Sequence, residues 1–280
     1  MRVRCLLTCS PSNFPFLCTM QAEIRTVIVT RYVTPLREGG SLPAIVEADD
    51  GFLYVLKFRG AGQGIKALIA ELIGGELARI MGLKLPELVF AELNEAYGRA
   101  EADEEIQDLL KFSTGLNLGM SYLSGAVTYD PAVVKPDALL ASKIVWLDAF
   151  LMNVDRTARN TNMLLWHQDL WLIDHGASLY FHHNWENWRE QSTKPFVQIK
   201  DHVLLRQASA IEEVDQSMKK LLNKEVIDEI VGLIPEDWIV ATFPESVEVV
   251  RNTYSEFLKI RLESSETFVK QAVYARSSIV

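Results

Sequence analysis

The sequence predicts an α+β chain in two lobes, an antiparallel sheet with one helix followed by a mainly helical half. Three observations predict it. Residues 26–58 carry three short runs of strand-like composition. Residues 66–81 carry apolar side chains at a helical period. Beyond residue 137 the apolar pattern is mostly helical, broken by one hairpin-like stretch at 162–173. The expected division is an extension at 1–19, a first lobe at 20–125 and a second at 126–280.

The elements follow in order. Residues 26–32 are rich in valine and β-branched side chains, residues 43–47 are short and apolar, and residues 52–58 alternate after the turn Asp49-Asp50-Gly51. Between the first two strands lies Arg37-Glu38-Gly39-Gly40-Ser41. Paired glycines let backbone N–H groups approach phosphate oxygens with no Cβ in the way, although the same residues also make a plain turn. Lys57 sits late in the third strand, between Leu56 and Phe58. The glycine-rich connection at 60–64 leads into a helix with Leu68, Ile69, Leu72, Ile73, Leu77 and Ile80 on its apolar stripe, stopped by Gly82. Glu71 and Glu76 could both reach Lys57. Glu71 is preferred, because it lies on the first two turns beside the stripe. Residues 87–93 and 116–123 read as strands, and the acidic patch at 101–108 opens either a helix or a solvated excursion. Residues 137–152 are apolar enough for a buried helix. Helices at 211–222, 226–234 and 254–273 complete the chain.

The chemistry concentrates in the loop after residue 152. Asp155 is followed five positions later by Asn160, then by an apolar run, and Asp174 stands two residues before Gly176. Phosphoryl transfer uses such a set: one carboxylate to orient or deprotonate the attacking hydroxyl, and an amide oxygen and a second carboxylate to hold metal ions on the phosphates. Two strands at 162–166 and 170–173, joined by a Gln168-Asp169 turn, would bring Asn160 and Asp174 to the same end of a hairpin. The competing reading is structural, since Asp, Asn and Asp-Arg pairs often only tie a loop down.

Glycine loop, strand lysine, helix glutamate, Asp-x4-Asn and Asp-x-Gly stand in this order in the chain. The order resembles the HipA-like branch of the protein-kinase-like superfamily and, more distantly, phosphoinositide kinases, which share the Asp-Arg start of this loop. Glu47-Ala48-Asp49-Asp50-Gly51, Val55-Leu56-Lys57-Phe58-Arg59-Gly60 and Ile106-Gln107-Asp108-Leu109-Leu110 are similar to phrases of a compact bacterial HipA-like group. The resemblance spans roughly residues 22–205 and implies an ATP- and Mg2+-dependent kinase. Asp155 is then the base, Asn160 and Asp174 are the metal ligands, and Gly39, Gly40 and Ser41 form the phosphate loop. Lys57, paired with Glu71, meets the ATP phosphates, and Met120, Ser121 and Tyr122 form the hinge at adenine. Ser41 is also a candidate for autophosphorylation on this resemblance. The implied acceptor is a hydroxyl on a protein, with a serine or threonine preferred, or on a small molecule. A nucleotide-binding pseudokinase is the alternative.

Composition is consistent with this reading. A chain of 280 residues, 49% hydrophobic, can bury a large core. A formal charge of −9 argues against non-specific binding to nucleic acid or acidic membranes. No apolar run reaches the ~18 residues that a spanning helix needs. The three cysteines, Cys5, Cys9 and Cys18, all precede residue 20, which suits a reducing cytoplasm. The first nineteen residues have an apolar core broken by polar residues, which favours an extension ahead of Met20 over a secretory leader. His182, His183 and His202 lack the spacing of a zinc site, and Trp185 and Trp188 are expected to pack rather than to stack on bases.

Overall fold

The computed structural model describes residues 24–36, 42–62, 64–97 and 103–280. Gly39, Gly40, Ser41 and the extension at 1–19 lie outside the described residues. The first lobe contains β1 (Thr26–Pro35), β2 (Ala44–Ala48), β3 (Leu53–Lys57), β4 (Leu88–Leu93) and β5 (Gly115–Ser121). They form a closed barrel in the order β1-β2-β3-β5-β4. Neighbours run antiparallel except at the closure, where β1 and β4 pair in parallel from Thr26 opposite Phe90. The β2–β3 hairpin turns at Asp49-Asp50-Gly51, where Gly51 takes the left-handed φ of +80° and Asp50 Oδ1 accepts the N–H of Phe52 at 3.1 Å. Alternation sends Val27, Val29, Val46, Tyr54, Leu56, Val89 and Ala91 into the barrel. The acidic patch does open a helix, α2 (Glu104–Phe112), whose Leu110 closes this small core. Its N-terminus is capped by Asp103, which accepts the N–H of Glu105 at 3.0 Å.

Helix α1 (Ile65–Ile80) precedes it in the chain and belongs to the other core. Its apolar residues pack with those of the helical lobe rather than inside the barrel, so it is sandwiched between the two lobes. Burial extends beyond the expected stripe to Gly74, Gly75 and both glutamates. Gly82, with φ +72°, ends it.

The second lobe is built around α3 (Ala138–Leu151), whose last turns are buried on every side. Asp137 caps it by accepting the N–H of Leu140 at 2.8 Å. The short strand β6 (Val127–Thr128) pairs with β7 (Met163–Trp166), which pairs with β8 (Asp169–Leu172). The hairpin turns at His167-Gln168 rather than Gln168-Asp169, because Trp166 pairs with Asp169. Both turn residues have positive φ, at 49° and 68°. That geometry follows the twist of the strands, although neither residue is the Asn or Gly that usually signals it.

The remaining helices are α4 (Trp188–Ser192), α5 (Ile211–Leu221), α6 (Lys224–Gly232), α7 (Glu236–Thr242), α8 (Val247–Glu263) and α9 (Glu266–Ser277). The single helix expected at 254–273 is therefore two. They break at Ser264-Ser265, where the Ser264 hydroxyl donates to the carbonyl of Ile260 at 2.7 Å. The sequence reading had no element at α7. Trp238 from α7 donates its indole N–H to the Leu116 carbonyl of β5 at 2.9 Å and meets Phe90 edge-on at 5.7 Å. Both contacts join the helical lobe to the barrel. No helix among the described residues is long and apolar enough to cross a membrane.

Candidate active site

Lys57 stands at the end of β3 and reaches across to α1. Its Nζ donates to Glu71 Oε2 at 2.6 Å and to Asp174 Oδ1 at 2.7 Å. Glu71, not Glu76, is the partner. Glu76 pairs instead with Arg79 on its own helix, at 2.6 Å. Glu71 Oε2 also accepts the backbone N–H of His175 at 2.8 Å. Burial disfavours the Lys57 ammonium, but Asp174 and Glu71 together outweigh it and hold the pKa above the ordinary lysine value. Burial likewise disfavours the Glu71 carboxylate, and Lys57 and His175 reverse that, so its pKa lies below the usual range. Both groups are charged at neutral pH.

Asp174 follows β8 in a left-handed conformation, φ 58°, which turns its carboxylate towards Lys57 and the cleft. Asn162 enters β7 with φ 48°, and its carbonyl accepts the N–H of Ile173 at 3.0 Å. The hairpin thereby brings Asn162 beside Asp174. The loop between α3 and β7 holds Asp155, whose Oδ2 accepts amide N–H groups from Asn160 at 2.7 Å and Asn162 at 3.2 Å. With their nitrogens committed to Asp155, the two amides keep their oxygens as the remaining acceptors.

Arg156 does the tying that an Asp-Arg pair suggests. Fully buried, it donates through Nε to Asp148 Oδ2 at 2.6 Å and through Nη1 to the carbonyls of Asn162 and of Ile173, the latter at 3.3 Å. Asp148, inside α3, also accepts from Asn153 at 2.9 Å and from His202 Nε2 at 2.9 Å. The Leu204 N–H donates to His202 Nδ1 at 3.0 Å, which leaves the imidazole proton on Nε2, facing Asp148. Helix, loop and hairpin thus share one buried carboxylate. Burial alone would raise the Asp148 pKa, but Arg156 and His202 outweigh it and hold the carboxyl well below its usual range. A depressed carboxylate stabilises the fold fully above its unfolded pKa of ~3.9 and loses that contribution as the pH falls through the folded value. Asp148→Asn is therefore expected to cost ~3–5 kcal/mol at neutral pH, because it leaves the buried Arg156 charge uncompensated. It should also flatten the acid limb of stability below about pH 4. Urea unfolding across pH checks both, and an unchanged midpoint at pH 7 would contradict this account of the network.

A cleft of about 870 Å³ lies between barrel and helical lobe. Its apolar walls include Leu36, Val55, Met120 and Met163, and its polar end carries Lys57, Asn160, Asn162 and Asp174. Met120 is buried, whereas Tyr122 is 40% exposed at the rim, its N–H bonded to the Leu53 carbonyl at 2.9 Å. The sequence model of the HipA-like kinase family matches residues 29–270. The chain belongs to the HipA-like kinase family. Among solved structures it is similar to the Helicobacter pylori proinflammatory kinase CtkA, with 12% identity and a TM-score of 0.53 over 91% of this chain and 98% of that one. At that identity the likeness shows a shared protein-kinase-like fold. A Golgi casein kinase with Mn/ADP bound also aligns, with 13% identity and a TM-score of 0.42 over 87% of this chain and 74% of that one, too slight to carry an argument. No curated protein matches.

In this HipA-like kinase the structure brings Lys57, Glu71, Met120, Tyr122, Asp155, Asn160 and Asp174 together around one cleft and its edge. The sequence reading missed Asn162 and Arg159, which also line the cleft. A signal for Asn162 was present: it stands directly before β7, where its carbonyl accepts the N–H of Ile173, the residue before Asp174. His182 and His202 are each engaged in a side-chain hydrogen bond, to Tyr254 at 2.9 Å and to Asp148. Trp185 packs against Phe243 at 4.9 Å within an aromatic cluster.

Proposed function

We propose that this HipA-like kinase is catalytically active and transfers the γ-phosphoryl group of ATP, held with a divalent cation such as Mg2+, to a hydroxyl acceptor. The observation that carries this reading is Lys57 bonded at once to Glu71 and Asp174, at the polar end of a cleft of nucleotide size. The donor set suits a hard cation: an outward-facing carboxylate on Asp174 and amide oxygens on Asn160 and Asn162. When bound, the cation would neutralise phosphate charge. The chain's own residues do the rest. Lys57 presents an ammonium to the phosphates, the apolar walls exclude water from the base, and Asp155 accepts the proton of the acceptor hydroxyl. Asp155 keeps Oδ1 for that task while its Oδ2 is oriented by two amides.

The proposed acceptor is a protein serine or threonine. The Asp155 loop is exposed at Val154 and from Ala158 to Asn160, so a hydroxyl carried on a macromolecule can approach it. Incubation of the purified protein with γ-labelled ATP and Mg2+, alone and with a cytosolic lysate, should label protein serine or threonine residues. Label only in small molecules would move the acceptor class. ATP binding with no label transferred anywhere would favour a pseudokinase.

A further inference from the structure

Helix α1 contains two adjacent glycines near its middle, Gly74 and Gly75. Each costs ~0.8–1 kcal/mol relative to alanine in a helix interior, so both call for a packing reason. The reasons differ. A Cβ on Gly75 would meet Leu88 Cδ1 at 2.6 Å and Leu85 Cδ1 at 3.1 Å, which are ends of flexible side chains. A Cβ on Gly74 would meet His175 Cβ at 2.7 Å and Cγ at 3.0 Å. That is the root of a side chain, fixed to the backbone beside Asp174, and it cannot move unless the backbone moves.

His175 is buried, and neither ring nitrogen has a hydrogen-bond partner among the described residues. It contributes its bulk against Gly74, its backbone N–H on Glu71 Oε2 at 2.8 Å, and a ring Nδ1 that stands 3.6 Å from Glu71 Oε1. Glu71 and Gly74 lie three residues apart, on one face of the helix. The residue that Gly74 admits is therefore the one that holds Glu71, which in turn holds Lys57. At the helix start, Lys66 Nζ donates to the His182 carbonyl at 2.5 Å, a second tie between α1 and the chain that follows Asp174.

We propose that Gly74 and His175 are positioning residues that set how closely α1 approaches Asp174, so that Glu71 can deliver Lys57 to the phosphates. The catalytic consequence rests on the kinase reading above; the positioning itself does not. With a methyl group at position 74, helix and His175 must separate by about 0.7 Å before their contact becomes ordinary. Displacements of ~1 Å at a reacting group cost on the order of 10²-fold in rate.

The test reads hydrogen exchange at the residue 175 amide together with ATP hydrolysis and melting temperature. Gly74→Ala should speed that exchange by about tenfold or more, as a bond made by a displaced carboxylate weakens. It should lower kcat by ~10–100-fold with little change in KM for ATP. Gly75→Ala should show neither change. In a His175→Gly background, which removes the Cβ, Gly74→Ala should add no further loss. Unchanged exchange in Gly74→Ala, an equal effect from Gly75→Ala, or simple additivity with His175→Gly would each overturn the proposal. If Gly74→Ala fails to fold, the pair Gly74→Ala/His175→Gly should recover folding, and its failure to do so also overturns it. A wild-type protein without ATP turnover would remove the kinase reading, whereas exchange at residue 175 would still decide the positioning.

Discussion

Asp155→Asn is expected to lower phosphoryl transfer by ~10²–10⁴-fold, the usual size of a general-base contribution. The fold should survive the change. The Asp155 carboxylate makes no bond to Asp148 or Arg156; its backbone N–H goes to Asn153 Oδ1 at 3.1 Å, and asparagine keeps that N–H. The substituted side chain has the same shape and still offers one oxygen to Asn160 and Asn162, which donate to Asp155 Oδ2. What disappears is the anionic oxygen that can take a proton. The expected signature is a fall in kcat with ATP affinity and melting temperature near those of the wild type. Labelled-ATP transfer measured beside nucleotide binding separates the two, and a variant that transfers phosphate at the wild-type rate would remove Asp155 from the role of base.

The elements with strong local signals were the legible ones. The β2–β3 hairpin carried its own turn chemistry in Asp49-Asp50-Gly51, α1 carried a helical period and a glycine stop, and α3 carried an unbroken apolar stretch. The less legible features depend on partners distant in sequence. Closure of the barrel needs β1 beside β4, and no local pattern announces a parallel pair brought together by α1. The break at Ser264-Ser265 depends on the polar serines competing for helix carbonyls, which a periodic apolar count passes over. The turn at His167-Gln168 lacks the usual residues and follows from the register of its strands. At the site, Lys57, Asp155 and Asp174 could be read, because each stands in a motif and the motifs follow one another in the order of a HipA-like kinase. Glu71 and Glu76 could not be separated by spacing with certainty, and only the packed helix shows Glu76 turned to Arg79. Asn162 is masked in the sequence by Asn160, which already meets the Asp-x4-Asn spacing.

Asp174→Ala should abolish the Mg2+-dependent part of ATP binding and leave a weaker, Mg2+-independent part. A hard cation keeps its water shell unless anionic or carbonyl oxygens replace it, and among the described residues Asp174 supplies the one carboxylate that both lines the cleft and faces Lys57. The asparagine amides Asn160 and Asn162 are neutral and cannot hold the ion against hydration alone. Loss of Asp174 also strips Lys57 of one of its two carboxylates, but Glu71 remains at 2.6 Å, so the ammonium stays paired and the lobes stay joined. The decisive comparison is thermal. A ligand at about 100 times its Kd stabilises the folded state by ~2.7 kcal/mol. In wild-type protein, ATP with Mg2+ should therefore raise the melting temperature well beyond ATP with a chelator, whereas in Asp174→Ala the two scans should coincide. Calorimetric titration gives the same comparison as affinities. An Asp174→Ala protein that keeps the full Mg2+-dependent shift would place the cation on other residues, and the hairpin end formed by Asn162 and Asp174 would then serve only to anchor Lys57.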